Sequence, residues 1–189
     1  MSATTIPADI STRDHILKVA RELMQTRSYL GFSFQDIAER VGVRKASLYH
    51  HFPSKESLGV AVLNEAAGQF QDWAATRTGT PESQLRSYFR MLRNALGAGT
   101  RVCPAGSVVP GWDCMNEDLR EAVRQLRAGQ VRWLTGVLRQ MPQVASPDRT
   151  AAHVFALGQG ALLAARATGQ AHDFDDAVAP AYALLGLPE

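Results

Sequence analysis

The apolar residues of this chain recur at spacings of three and four, and this periodicity constrains the fold more than any other feature. The clearest stripe lies between Ser33 and Gly42 and consists of Phe34, Ile37, Ala38 and Val41. Such spacing places the side chains on one face of an α-helix. No window shows a sustained alternation of apolar and polar residues, and β-branched residues are not concentrated in short runs. The sequence therefore predicts an all-α fold with about nine helices.

Capping residues and chain breakers indicate where these helices begin and end. Ser11 with Asp14, and Ser33 with Asp36, resemble capping boxes in which aspartate replaces the usual glutamate. Gly42 ends the second helix, because glycine tolerates a left-handed turn. The predicted helices begin at Ser11 or Thr12 and at Ser33, cover about 45–51 and 55–75, follow Pro81, and cover about 116–140, 149–168 and 174–185, with a segment broken by prolines and glycines at 103–113.

Composition limits the class of protein. Hydrophobic residues make up 46% of the 189 residues, enough for a real core. No apolar run reaches the roughly 18 residues of a membrane span, and residues 1–10 do not resemble a secretory signal. The two cysteines are not a disulfide framework and fit a reduced compartment. We therefore expect a cytoplasmic protein that does not associate with membranes.

The positive charge is concentrated near the N-terminus. The whole chain carries a formal net charge of only +2, which by itself predicts no nucleic-acid binding. Residues 1–55, however, hold eight basic and five acidic side chains and three of the five histidines. This asymmetry indicates that the N-terminal third is the electropositive part.

The second and third predicted helices, joined at Gly42, form a helix-turn-helix. In this motif the second helix enters the major groove of DNA with its N-terminal residues leading. Here that helix lies within VRKASLYHHF, residues 43–52. Arg44 and Lys45 occupy its first turn, where they can reach base edges or phosphates. Leu48 is predicted to anchor the helix to the core.

The segment FSFQDIAERVGVRKASLYHHFPSKESL resembles the DNA-binding segment of the tetracycline-repressor (TetR) family. The resemblance covers about 27 residues closely and the pattern of about nine helices loosely. It implies a homodimeric transcriptional regulator, most often a repressor, that binds double-stranded DNA at a near-palindromic operator and is released by a small effector. The implied DNA-binding residues are Ser33, Gln35, Arg44, Lys45, Ala46, Ser47, Tyr49, His50 and Lys55.

The resemblance also implies two domains. Residues 1–55 would form the helix-turn-helix domain, with residues 1–10 disordered, and residues 56–189 a larger helical domain for effector binding and dimerisation. The segment AAHVFALGQGALLAARA agrees, because it is apolar on nearly every side. Its alternative role is burial inside one subunit. The predicted dimer interface consists of Ala152, Ala156, Gly160, Ala164 and, in the last helix, Tyr182.

The broken stretch RVCPAGSVVPGWDCMN borders the effector pocket, as the resemblance implies. A helix with two prolines and two glycines is costly unless the irregular backbone has a use. An apolar lining would suit an apolar effector. The alternative is that these aromatic and aliphatic side chains are ordinary core. The predicted pocket residues are Tyr88, Phe89, Leu92, Cys103, Trp112, Met115, Trp133, Val137, Phe155 and Gln159.

Other functions of the same residues remain open or are disfavoured. Cys103, with Arg101 nearby, could be a thiol that senses electrophiles or oxidants, or simply a small buried hydrophobe. A regulator without ligand control, or an activator, is a further alternative. His50 and His51 are adjacent and point about 100° apart on a helix, so no metal site is expected there. No Gly-rich phosphate loop, GxSxG or HExxH occurs, and we expect neither an enzyme nor a cofactor.

Overall fold

The computed structural model describes residues 11–185, and within this range the chain is all helical, with no strand. The predicted fold class is confirmed. The predicted disorder of residues 1–10 lies outside the described residues. The nine helices of the described range are α1 (Thr12–Arg27), α2 (Phe34–Val41), α3 (Lys45–His51), α4 (Lys55–Ala75), α5 (Pro81–Leu96), α6 (Pro104–Val108), α7 (Glu117–Leu138), α8 (Pro147–Thr168) and α9 (His172–Leu184).

Side-chain caps define the first helices as the sequence predicts. The Ser11 hydroxyl accepts a hydrogen bond of 3.2 Å from the backbone N–H of Asp14. At α2 the capping box is reciprocal: the Ser33 hydroxyl accepts from the Asp36 N–H, and the Asp36 carboxylate accepts from the Ser33 N–H. Aspartate therefore takes the place of glutamate in the capping box of α2, whereas at α1 the Asp14 carboxylate accepts a hydrogen bond of 2.7 Å from the Ser11 hydroxyl.

The segment between α6 and α7 is broken, as its prolines and glycines predict. A 3-10 helix follows α6 over Val109–Cys114 and contains Pro110. Gly111 leaves helical geometry at φ −107° and ψ 21°. A Cβ at this position would lie 2.8 Å from Leu30 Cδ1, so the glycine permits close packing. Cys103 is buried and Cys114 exposed, and the two thiols form no disulfide.

The chain divides into two compact units by packing. The first contains the described residues up to Ala66 together with Pro104–Arg124, and the second contains Ala67–Cys103 and the described residues from Gln125 onward. The first unit thus includes a segment remote in sequence from its helix-turn-helix. The predicted functional boundary between residues 55 and 56 stays a prediction.

In the first unit, α1 packs against α2 and α6. The Ser28 hydroxyl donates a hydrogen bond of 2.9 Å to the carbonyl of Ser107, which ties the end of α1 to α6. Lys55 Nζ lies over the rings of Tyr29 and Phe32. The buried side chains of this core include Ile16, Ala20, Leu23, Met24, Ile37, Val41, Leu48, Leu58, Leu63 and Leu119.

In the second unit, α8 packs against α9, and α5 contacts both. An aromatic cluster joins α4, α5 and α7: the rings of Trp73 and Trp133 lie 5.1 Å apart, and those of Tyr88 and Trp133 lie 6.1 Å apart. Among the described residues no helix is long and apolar enough to span a bilayer. The buried side chains of this core include Leu85, Tyr88, Phe89, Leu92, Leu134, Val137, Val154, Leu162, Phe174 and Val178.

Candidate nucleic-acid interface

A left-handed glycine joins α2 to α3. Gly42 has φ 79° and ψ 31°, and its N–H donates to the carbonyl of Ala38 at 2.9 Å. A Cβ there would meet nothing within 4 Å, so the backbone conformation alone favours glycine. Leu48 is only 1% exposed and anchors α3. These features give the helix-turn-helix that the sequence predicts.

The outer face of α3 carries most of the predicted DNA-binding residues. Arg44 is the N-cap residue, with no side-chain hydrogen bond at the cap. Tyr49 is 51% exposed, and its ring packs 5.1 Å from that of Phe34. Ser47 is half-buried. The remaining predicted residues of this segment, Arg44, Lys45, Ala46 and His50, are exposed.

Four of the predicted residues meet at one open depression of about 340 Å³ in the first unit. Its lining includes Pro53 and Ser54, which were not predicted as site residues although Ser54 lies at the start of α4. The predicted residues that it brings together are Ser33, Lys45, Tyr49 and Lys55.

The hydroxyl of Ser33 has two internal partners. It donates to Asp36 Oδ2 at 2.6 Å and accepts from the Asp36 N–H at 3.3 Å. Hydrogen bonds from Ser33 hold the pKa of Asp36 below its ordinary value of 3.8, and the nearby Arg27 acts in the same direction. The carboxylate therefore stays ionised and completes the cap.

Lys55 is fixed by groups on the segment before α2. Its Nζ donates to the carbonyl of Phe32 and lies 4.6 Å from the centre of the Tyr29 ring and 4.4 Å from that of Phe32. Burial lowers the pKa of Lys55 from its ordinary value, although Glu56 and Asp36 oppose this effect. An ammonium group has three N–H donors, and the Phe32 carbonyl takes one of them.

Two further residues of α2 and α3 lie outside this depression. Gln35 is exposed, and its amide donates to Glu39 Oε1 at 2.8 Å along the helix. His51 is the last residue of α3 and is exposed.

The residues predicted for an effector pocket are mostly core side chains. Tyr88 is fully buried, and its hydroxyl donates to Gln130 Oε1 at 3.0 Å. Gln159 Nε2 is buried and has no hydrogen-bond partner among the described residues. Trp112 and Met115 belong to the first unit, whereas the other predicted pocket residues belong to the second. Phe89, Leu92, Cys103 and Val137 are buried, and Trp133 and Phe155 are half-buried.

The small residues predicted for a dimer interface lie on the outer side of α8. Ala156, Gly160 and Ala164 are exposed and Ala152 is half-buried. Tyr182 of α9 is half-buried, with its ring 5.8 Å from that of Phe89. The opposite side of α8, which packs into the second unit, contains Ala151, Val154, Gly158, Ala161, Leu162 and Ala165.

Comparison with known proteins agrees with this geometry. The model of a family described as "Bacterial regulatory proteins, tetR family" matches residues 16–62, which contain the helix-turn-helix. The transcriptional repressor NemR of Escherichia coli (strain K12) is 23% identical, over 94% of this chain and 95% of its own. The repressor KstR2 of Mycolicibacterium smegmatis is 36% identical over 73 residues, which are 39% of this chain and 34% of its own.

The similarity in structure extends over nearly the whole chain. A TetR-family transcriptional regulator from Agrobacterium tumefaciens shares the fold with a TM-score of 0.84 and 29% identity, over 93% of this chain and 96% of its own. The match at the helix-turn-helix, the relatives and the common all-α architecture lead to one conclusion. Residues 16–62 form a TetR-family helix-turn-helix, and the chain is a DNA-binding transcriptional regulator that is similar to TetR-family proteins over nearly its whole length.

Proposed function

We propose that this chain is a homodimeric repressor that binds a near-palindromic operator through α2 and α3 and is released by a small effector. The observation that carries the proposal is the capped α2, left-handed Gly42 and Leu48 anchor, which together present the first turn of α3 to solvent. NemR and KstR2 are both described as repressors, which supports repression over activation.

On the DNA, we infer that Arg44 and Lys45 lead α3 into the major groove. Both are exposed at the N-terminal end of the helix, where the motif reads base edges. Tyr49 and Lys55 flank the same depression as Ser33 and suit contacts to the phosphate backbone. Gln35, Ala46, Ser47 and His50 complete the proposed surface.

For dimerisation, the proposed occupant of the outer face of α8 is a second copy of this chain. Ala156, Gly160 and Ala164 leave room for a close helix–helix approach. Leu163 is 58% exposed and Leu184 of α9 is 79% exposed, and such large apolar groups gain from being covered. The same interface would hold two helix-turn-helix domains at a fixed spacing, as a near-palindromic operator requires.

The proposed effector is small and apolar, because the residues predicted to contact it are mainly apolar. The buried Nε2 of Gln159 offers it one donor. An effector can release DNA only if it binds the two arrangements of the dimer unequally.

The DNA-binding proposal is tested by selecting bound duplexes from a random pool and measuring affinity for the consensus. Replacing Arg44 and Lys45 together by alanine should abolish sequence-specific binding. A matched control replaces Arg132 and Arg149, which are exposed in the second unit, and removes the same charge. Equal loss in both double variants, or no loss in the first, would contradict the proposed surface.

The dimer proposal is tested by sedimentation velocity. Gly160→Leu should shift the protein toward monomer, because its side chain blocks close approach of α8. Gly136→Leu is the control: Gly136 of α7 is also exposed, and a Cβ there meets nothing within 4 Å. A Gly160→Leu variant that remains as dimeric as the control would rule out this interface.

A further inference from the structure

A cleft in the second unit gathers three arginines around an apolar floor. It has a volume of about 240 Å³ and lies between α5 and α9. Phe89, Phe174 and Val178 form the floor and are at most 2% exposed. The charged groups at its walls are Arg86, Arg90, Arg93 and Asp175.

The charges in this cleft are not balanced. Arg93 Nε bonds both carboxylate oxygens of Asp175 at 2.9 Å, so this arginine is neutralised. Within the described part of the chain, neither Arg86 nor Arg90 forms an ion pair with a carboxylate. Arg86 Nη2 is buried and lacks a hydrogen-bond partner among the described residues. A buried donor without a partner is costly, and an anion in the cleft would neutralise the guanidinium group that carries it.

Aromatic rings orient the same arginine. The guanidinium carbon of Arg86 lies 4.8 Å from the centre of the Tyr182 ring. Tyr182 in turn packs edge-on against Phe89, with ring centres 5.8 Å apart. A planar guanidinium held in this way suits the planar, two-oxygen geometry of a carboxylate. The neighbouring rings suit an aromatic group on the same ligand.

We propose that this cleft binds a small aromatic carboxylate, with its carboxylate on Arg86 and Arg90 and its ring on Phe89 and Tyr182. The volume is below the roughly 300–1,000 Å³ of pockets for drug-sized ligands, so a single-ring acid fits the size better than a larger molecule. The cleft shares Phe89 with the residues predicted for the effector pocket, and its test does not depend on DNA binding.

Isothermal titration calorimetry of the full chain with benzoate tests the proposal. Benzamide is the neutral ligand of the same shape, and inorganic phosphate is the anion without a ring. We expect benzoate to bind at least tenfold more tightly than either. Arg86→Gln should weaken benzoate binding roughly tenfold to a hundredfold, the range for a lost charged hydrogen bond.

Two more variants keep the test decisive if Arg86→Gln fails to fold. Arg90 is exposed, so Arg90→Gln should fold normally and should also weaken benzoate binding several-fold. Arg139→Gln removes an exposed arginine paired with Asp148 elsewhere in the second unit and should leave affinity within twofold of wild type. Absence of benzoate binding, equal binding of benzamide or phosphate, or unchanged affinity in Arg90→Gln would each overturn the proposal.

Discussion

At the residue scale, Ser33 has two roles, one in helix stability and one in the proposed DNA binding, and variants can test them separately. Its hydroxyl caps α2 through Asp36 and also lines the proposed DNA surface. Ser33→Ala removes both and should cost about 1 kcal/mol of unfolding free energy, the usual value for a lost N-cap. Ser33→Asp keeps a capping oxygen but adds negative charge beside the phosphates.

Urea denaturation and duplex binding distinguish these roles. The alanine variant should lose stability and DNA affinity. The aspartate variant also loses some stability, because its carboxylate repels Asp36, but it should lose more DNA affinity than the alanine variant. If Ser33→Asp binds the duplex as tightly as wild type, Ser33 does not contact phosphate.

The cap also makes stability depend on pH. Hydrogen bonds from Ser33 lower the pKa of Asp36 in the folded state, so this group stabilises the fold above its unfolded pKa, and the benefit is lost as pH falls through the lowered folded pKa. Asp36→Asn should therefore show a smaller fall in unfolding free energy between pH 5 and pH 2. Denaturation curves at several pH values measure this, and parallel profiles for the two proteins would refute the assignment.

Local residue patterns predicted the caps but not the environment of Lys55. Ser33 and Asp36 are three residues apart, so a one-dimensional pattern reveals their hydrogen bonds. The carbonyl of Phe32 and the ring of Tyr29 are more than twenty residues from Lys55 and meet it only through packing. The sequence does not reveal the cleft around Arg86 for the same reason. It predicts different sites for Phe89 and Tyr182, yet their rings are in contact.

At the scale of elements, helix bounds followed from caps and breakers. The structure gives α3 and α4 the predicted bounds. α8 begins two residues earlier than predicted, at Pro147, because proline is well suited to the first turn of a helix, where its missing N–H is not needed. The periodicity of apolar residues could not reveal this turn, because neither Pro147 nor Asp148 contributes to an apolar face.

Gly158 of α8 and Gly136 of α7 should respond oppositely to alanine. A Cβ on Gly158 would lie 2.6 Å from Leu92 Cδ1, so Gly158→Ala should cost about 1–2 kcal/mol as the core adjusts. A Cβ on Gly136 meets nothing within 4 Å, so Gly136→Ala should gain up to about 1 kcal/mol from helix propensity. Thermal unfolding at one protein concentration tests both. Similar shifts of the two variants would contradict this packing.

At the scale of the whole molecule, the salt dependence of DNA affinity measures how many phosphates the protein neutralises. The logarithm of affinity falls with the logarithm of salt concentration by about 0.9 per phosphate neutralised on duplex DNA. If Lys45 contacts phosphate in both subunits, Lys45→Met should reduce the slope by roughly 1.8. Lys55→Met should reduce it by a similar amount if Lys55 also contacts phosphate, because the Phe32 carbonyl leaves the charge of that ammonium in place.

Arg132→Met serves as the control, since this exposed cation belongs to the second unit. Its slope should match that of wild type in fluorescence anisotropy titrations from low to moderate salt. A slope for Lys45→Met that equals the control would show that Lys45 neutralises no phosphate.

The composition of the first unit was beyond prediction from local sequence. The resemblance implies a helix-turn-helix domain over residues 1–55, and this boundary stays a prediction. By packing, Pro104–Arg124 belongs to the same unit as the helix-turn-helix. Contacts such as that of Ser28 with Ser107 span 79 residues and leave no trace in a local pattern.

The hydrogen bond between Ser28 and Ser107 affects how the protein folds during its synthesis. Because Pro104–Arg124 completes the first unit, the helix-turn-helix cannot reach its final packing when Ala66 has been translated. At about 5–20 residues per second, the ribosome needs roughly 3–12 s more to add the missing segment. During this interval the helix-turn-helix of the nascent chain remains incompletely packed. A chain truncated by a stop codon after α4 would lack the packing of α6 against α1 and should be readily cleaved by proteases.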